Sequence, residues 1–235
     1  MRPRRHGNID NLLAAARLLG DLTSEVVFVG GAATALLLTD SAAPDVRPTL
    51  DVDVIVEVAS RSSYHRFQER LRERGFSEAL DEEVICRWKH GEIILDVMPT
   101  DESILGFSNP WYLPAISHSQ DLAIEDVHLR VISAPYFLGT KVAAFFGRGK
   151  GDYMASHDLE DIVIVLDGRP EIVQEVLEAP EDLRRYLGST FAAWLALDDF
   201  LDGLPGLLLP DPGSQARVPV ILDRMRRISV GTTLR

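Results

Sequence analysis

Two carboxylates, Asp51 and Asp53, stand one residue apart in the run Arg47-Pro48-Thr49-Leu50-Asp51-Val52-Asp53-Val54-Ile55-Val56. On a β-strand alternate side chains share a face, so both acids point the same way, with Cα atoms roughly 7 Å apart. Leu50, Val52, Val54 and Val56 are expected on the opposite face. Two like charges beside a hydrophobic core are costly unless a cation lies between them. A divalent metal is the usual solution, and all-oxygen ligation favours Mg2+ or Mn2+. The same spacing suits a strand with one solvated face, so the pair needs support from elsewhere in the chain.

Two further segments bear on that chemistry. Glu25-Val26-Val27-Phe28-Val29 has the pattern of a short buried strand running into Gly30-Gly31, and Ala32 to Leu38 is built mostly from good helix formers. Glycines let a backbone approach a ligand, and free N–H groups at a helix start attract an anion such as phosphate. A tight strand-to-helix turn with nothing bound fits as well. The spacing is neither the dinucleotide fingerprint nor a Walker loop. Later, Glu92-Ile93-Ile94-Leu95-Asp96-Val97-Met98 reads as a strand interrupted by one acid. With Val84 to Lys89 before it and His90-Gly91 between, it predicts a β-hairpin. An unpaired Asp96 among those apolar residues would be costly, although a structural hydrogen bond would satisfy it.

In combination, Gly30-Gly31, Arg47-x-Thr49-x-Asp51-x-Asp53, Asp96, Lys141 and Asp158-x-x-Asp161 resemble the nucleotidyltransferase fold of the DNA polymerase β superfamily. The long gap between Gly-Gly and Asp-x-Asp is similar to that of the AbiEii/AbiGii-type toxin nucleotidyltransferases. The resemblance covers roughly residues 25–168. The chain departs from the pattern at Gly31, where many relatives have Ser, and in a longer stretch between Lys141 and Asp158 containing Gly147-Arg148-Gly149-Lys150-Gly151. The resemblance implies that Asp51, Asp53 and Asp96 are catalytic residues holding two ions of Mg2+ or Mn2+, with Asp96 as general base. It assigns the NTP substrate to Gly30, Gly31, Thr49, Lys141 and Asp158. The acceptor it implies is a tRNA end, a small molecule or a protein hydroxyl, with an antitoxin protein as partner. A non-catalytic nucleotide-binding module on the same fold is the alternative.

Composition sets bounds. The chain has 235 residues, 46% hydrophobic and 26% charged, which suits one good core or somewhat more. One cysteine, Cys86, excludes an internal disulfide framework and a cysteine zinc cluster. The basic start Met1 to Gly7 is followed by polar Asn8-Ile9-Asp10, so neither a signal peptide nor a membrane span is expected, and the protein should be cytoplasmic. A net charge of −12 opposes binding to extended nucleic acid. Residues 217–235 are locally basic, with Arg217, Arg224, Arg226, Arg227 and Arg235 against Asp223. They offer either solvated side chains or a local contact for an RNA end.

The expected class is α/β (α+β), a small mixed sheet flanked by helices with a helical C-terminal part. Residues 1–132 would form the nucleotidyltransferase core, and 133–235 a mainly helical part completing the cleft. Apolar spacing predicts helices over 8–20, 31–39, 60–74, 134–146 and 157–168, then about 171–178, 181–202 and 216–228. Strands are expected at 25–29, 50–57, the hairpin 84–98 and 127–132, with 99–120 mostly loop. Lys141 lies at the edge of an apolar helix face, where it either snorkels to solvent or meets a triphosphate. Asp161 is expected to contact Arg148 or Lys150.

Overall fold

A computed structural model of the chain describes residues 7–80, 84–147, 152–153 and 156–233. The basic start at Arg2, Arg4 and Arg5, the Arg148–Lys150 stretch and Arg235 lie outside these. The chain divides into two compact units. One comprises Met1–Leu36 with Arg47–Ser133, the other Leu37–Val46 with Ala134–Arg235.

The first unit holds seven strands: β1 (Val26–Val29), β2 (Asp51–Val56), β3 (Ser77–Glu78), β4 (Arg87–His90), β5 (Ile93–Pro99), β6 (Gln120–Ile124) and β7 (Val127–Val131). They form one mixed sheet in the order β3-β4-β5-β2-β1-β7-β6. β1 runs antiparallel to β2 and parallel to β7, and β2 runs parallel to β5. β1 is buried along its whole length, as an unbroken Val-Val-Phe-Val run in a central strand should be. β4 and β5 form the expected hairpin. Its two-residue turn is Gly91-Glu92, and Gly91 supplies the positive φ (57°) that the first turn position of such a hairpin requires.

Helix α1 (Gly7–Leu19) packs over β2, β5 and β7. It buries Ile9, Leu12, Leu13, Ala16 and Leu19, the residues one face of a helix predicts. Helix α2 (Gly30–Leu37) follows β1 without a loop. Helix α3 (Arg61–Glu73) starts in a capping box made by Ser60 and Ser63. Its Tyr64 hydroxyl donates to the Val97 carbonyl at 3.0 Å, tying α3 to β5. The segment 99–120 is less irregular than expected, since it contains α4 (Glu102–Leu105) and α5 (Tyr112–Ser117) and leads into β6. Pro114 sits in the first turn of α5, where a missing N–H costs the helix nothing.

The second unit is helical: α6 (Ala134–Gly147), α7 (His157–Gly168), α8 (Ile172–Glu178), α9 (Glu181–Leu195), α10 (Asp198–Gly203), α11 (Pro212–Gln215) and α12 (Val218–Thr233). The single helix expected over 181–202 is broken at Ala196-Leu197, where Leu197 turns extended and Asp198-Asp199 begin a new helix. Its core is aromatic, with Phe145, Phe191 and Phe200 around Trp194, and Phe200 stacked on the indole at 5.4 Å.

Residues 37–46 belong with this unit because they are bonded to the end of α7. The Thr39 and Asp40 amides both donate to the Gly168 carbonyl, at 3.0 and 2.9 Å. Arg169 donates to the Leu37 carbonyl, and Arg217 bridges Asp40 and the buried Asp167 at 2.6 Å each. Arg224 donates to the carbonyls of Leu166 and Asp167, so cations close the negative end of α7. Two arginines of the basic C-terminal stretch, Arg217 and Arg224, are thus engaged within the fold. Among the described residues no helix is long and apolar enough to cross a membrane.

Candidate active site

The register of the sheet brings the three sequence-predicted acids together. Asp53 lies directly opposite Asp96 on the neighbouring parallel strand, and Asp51 opposite Ile94. Opposed residues share a face, so Asp51, Asp53 and Asp96 project to the same side of the sheet. Val52, Val54 and Val56 are buried on the other face as expected. Leu50 is not part of that face: it precedes the strand and is 79% exposed. Ile55, in step with the acids, is fully buried, so the acid face is polar only at the start of β2.

Arg87 joins the acids, a role that its place in the sequence pattern does not by itself disclose. Its Nε donates to Asp96 Oδ1 at 2.8 Å, and its Nη2 donates to Asp96 Oδ2 at 2.7 Å and to Asp51 Oδ2 at 2.8 Å. The guanidinium therefore forks onto Asp96 and reaches across to Asp51. The signal for it was present in the hairpin: with Gly91-Glu92 as the turn, counting back from His90 and forward from Ile93 pairs Arg87 with Asp96. The Asp96 side chain is 8% exposed, Arg87 15% and Asp51 34%, so the cluster is buried at Asp96 and open at Asp51.

The N-terminal end of β2 is braced from both sides. Thr49 Oγ1 donates to Asp51 Oδ1 at 2.5 Å. Buried Asn8 on α1 donates to the Arg47 carbonyl at 2.9 Å and accepts from the Thr49 amide at 3.0 Å. An amide side chain thus holds the loop ahead of Asp51 in place, a second feature the sequence pattern did not disclose. On the far side, Gly30 opens α2 at φ 67°, and a Cβ there would collide with the Asp53 carboxylate. Gly30 is required both by its backbone angle and by the closeness of Asp53. Gly31 follows it, half-buried, in the first turn of the helix.

Cys86 is buried next to Arg87, and burial, reinforced by the charges of Asp96 and Asp53, pushes its thiol up to about 12. A thiol buried and shifted in this way is expected to react slowly.

Lys141 and Asp158 lie in the second unit, where the lysine departs from one of its two expectations. Lys141 is buried and does not snorkel. Its Nζ donates to Asp158 Oδ1 at 3.1 Å and lies 2.6 Å from Asp161 Oδ2, a charge contact without an aligned hydrogen bond. It also sits 5.7 Å from the Phe137 ring centroid. Asp161 is thus paired with Lys141; Arg148 and Lys150, its expected contacts, lie outside the described residues. Ser156 caps α7 by accepting from the Leu159 amide, which sets Asp158 in the first turn as predicted.

Three carboxylates on one face form an all-oxygen donor set suited to a hard divalent ion. Among the described residues, however, no group of three His, Cys, Asp or Glu side chains already stands arranged around an ion position. Arg87 lies among the acids instead. No family model matches the chain, and neither does any curated protein. Among solved structures it is similar to the crystal structure of JHP933 from Helicobacter pylori, with a TM-score of 0.50 and 13% identity over 99% of this chain and 95% of that one. At that identity the likeness bears on the fold alone, and the fold is α/β.

Proposed function

We propose that this chain is a metal-dependent nucleotidyltransferase that moves an NMP unit from an NTP to an acceptor hydroxyl. The observation that supports it best is the pairing of Asp53 with Asp96 across parallel strands, with Asp51 on the same face. Asp51, Asp53 and Asp96 would hold Mg2+ or Mn2+. When bound, such ions supply charge neutralisation at the α-phosphate and lower the pKa of the acceptor hydroxyl. Asp96 takes the hydroxyl proton as general base. The acceptor oxygen then bonds to the α-phosphorus as the α-phosphorus–bridging-oxygen bond breaks, and pyrophosphate leaves with that oxygen and its electron pair. Thr49 fixes the Asp51 carboxylate, and the glycine backbone at the start of α2 offers N–H groups to phosphate. The resemblance also assigns Lys141 and Asp158 to the NTP; within the second unit the two are paired with each other.

The toxin-like setting, the cytoplasmic location, an antitoxin partner and the choice among RNA end, small molecule and protein acceptors follow from the resemblance to the AbiEii/AbiGii type. One observation favours a second reading, a non-catalytic nucleotide-binding module: Arg87 already pairs with two of the acids. Incubating the protein with each labelled NTP, Mn2+ or Mg2+ and a cell extract separates the two. The enzyme reading expects label on a discrete acceptor, lost in Asp51→Asn. Metal-dependent NTP binding with no transfer supports the module. Absence of metal-dependent NTP binding overturns both.

A further inference from the structure

The hairpin turn at Gly91-Glu92 dictates that Arg87 faces Asp96, and the β2–β5 register dictates that Asp96 faces Asp53. A cation is therefore delivered to the acid face by the fold itself. Without it, Asp96, 5% exposed, would be a buried carboxylate beside a second one. Arginine suits the position because its planar fork can bind one carboxylate with two N–H groups and still reach another, which a lysine ammonium cannot do in the same geometry. We propose that Arg87 is a resident cation that holds the Asp51–Asp96 pair in the metal-free state and withdraws when a divalent ion takes its place. This inference rests on the nucleotidyltransferase reading.

The two occupants are exclusive, since the Asp51 and Asp96 oxygens that Arg87 holds at 2.7–2.8 Å are those a shared ion would need. Of the two carboxylates that Arg87 holds, Asp51 is the more exposed, so an ion meets it before the buried fork on Asp96. Arg87 then acts as an internal competitor: metal affinity is reduced by the fraction of molecules in which the guanidinium is seated. It is a positioning residue rather than a catalytic one. A salt bridge with a purely structural role would alter stability and leave metal affinity untouched.

The test is calorimetric titration of the full chain with Mn2+ alone, comparing wild type with Arg87→Gln and Arg87→Lys. Arg87→Gln should bind Mn2+ at least tenfold more tightly. Arg87→Lys keeps the charge but not the fork, and should fall between the two. Should Arg87→Gln fail to fold, Arg87→Lys decides alone: tighter Mn2+ binding than wild type supports the inference, and equal or weaker binding overturns it. Equal or weaker binding in both variants, with wild type still binding Mn2+, removes the competitor role and leaves the nucleotidyltransferase reading standing. No Mn2+ binding by any of the three, with or without NTP, removes both.

Discussion

Arg87 and Lys141 each join two aspartates, yet the chain builds the two clusters by different rules. Around Arg87, strand register does the work: residues far apart in sequence are set side by side, and Asp51 stays one-third exposed. Around Lys141, helical spacing does it. Asp158 and Asp161 are three apart on α7 and so share a face, and all three side chains are less than 10% exposed. One cluster has a route to water at Asp51. The other is buried throughout, although it too sets one cation against two carboxylates. The difference separates a place where ligand chemistry can occur from one that specifies the packing of two helices, though both read as acids near a base.

The sharpest way to break the comparison is Lys141→Met. Removing one partner from a buried ion cluster leaves uncompensated carboxylates, and the expected loss is about 3–5 kcal/mol by urea unfolding. A lysine that snorkels to solvent, one of the two sequence expectations, would contribute little to stability; the burial of Lys141 reverses that. A loss below about 1 kcal/mol would mean the second cluster is as open as the first. Next in size is Gly30→Ala, which forces a side chain into a positive-φ position against Asp53. It should destabilise by about 1–3 kcal/mol, and an unchanged denaturation midpoint would detach Gly30 from the acid face.

A third cluster, Arg217 with Asp40 and Asp167, tests whether partial exposure weakens such groups. The Arg217 guanidinium and the Ala42 amide hold the Asp40 carboxyl below the usual carboxylate range. Because the folded pKa is depressed, this contribution is present above about pH 3.9 and is lost as pH falls through the lower folded value. Asp40→Asn should therefore flatten the acid limb of the stability profile, with a loss of no more than about 1 kcal/mol at neutral pH. An acid limb identical to wild type would show that Asp40 is not linked to folding. The smallest effect concerns Cys86. With its thiol pushed up to about 12, native protein should resist iodoacetamide at pH 8 and label only on unfolding, as read by mass spectrometry. Rapid native labelling would show that the acid face opens more widely than its burial implies.

Much of the site was legible because its signals are local. Alternation placed Asp51 and Asp53 on one face, apolar neighbours marked Asp96 as out of place, and Gly30 preceded a helix. What escaped depends on partners remote in sequence. Arg87 becomes meaningful only when hairpin register is combined with the parallel β2–β5 pairing. Asn8 reads as an ordinary polar residue of α1 until the loop 47–49 is folded against it. Arg217 and Arg224 looked like a surface charge run because their acceptors, Asp40 and the last carbonyls of α7, are at least 50 residues away. In the fold, the differences are of punctuation: Pro114, in the segment expected to be mostly loop, sits in the first turn of a helix, and Ala196-Leu197 carries no Gly or Pro to announce a break.

The segment 37–46 has a consequence for inheritance. It leaves the strand-bearing unit after α2, is fastened to the end of α7, and returns to become the approach to Asp51. Neither unit is therefore a contiguous stretch of gene. Recombination at the 133/134 boundary, the natural seam for shuffling modules, would give a first half trailing a stranded strap and a second half lacking the Asp40 that its Arg217 binds. The two units are expected to travel through evolution as one indivisible cassette, and a gene-splitting library should recover working halves from cuts elsewhere before it recovers them from that one.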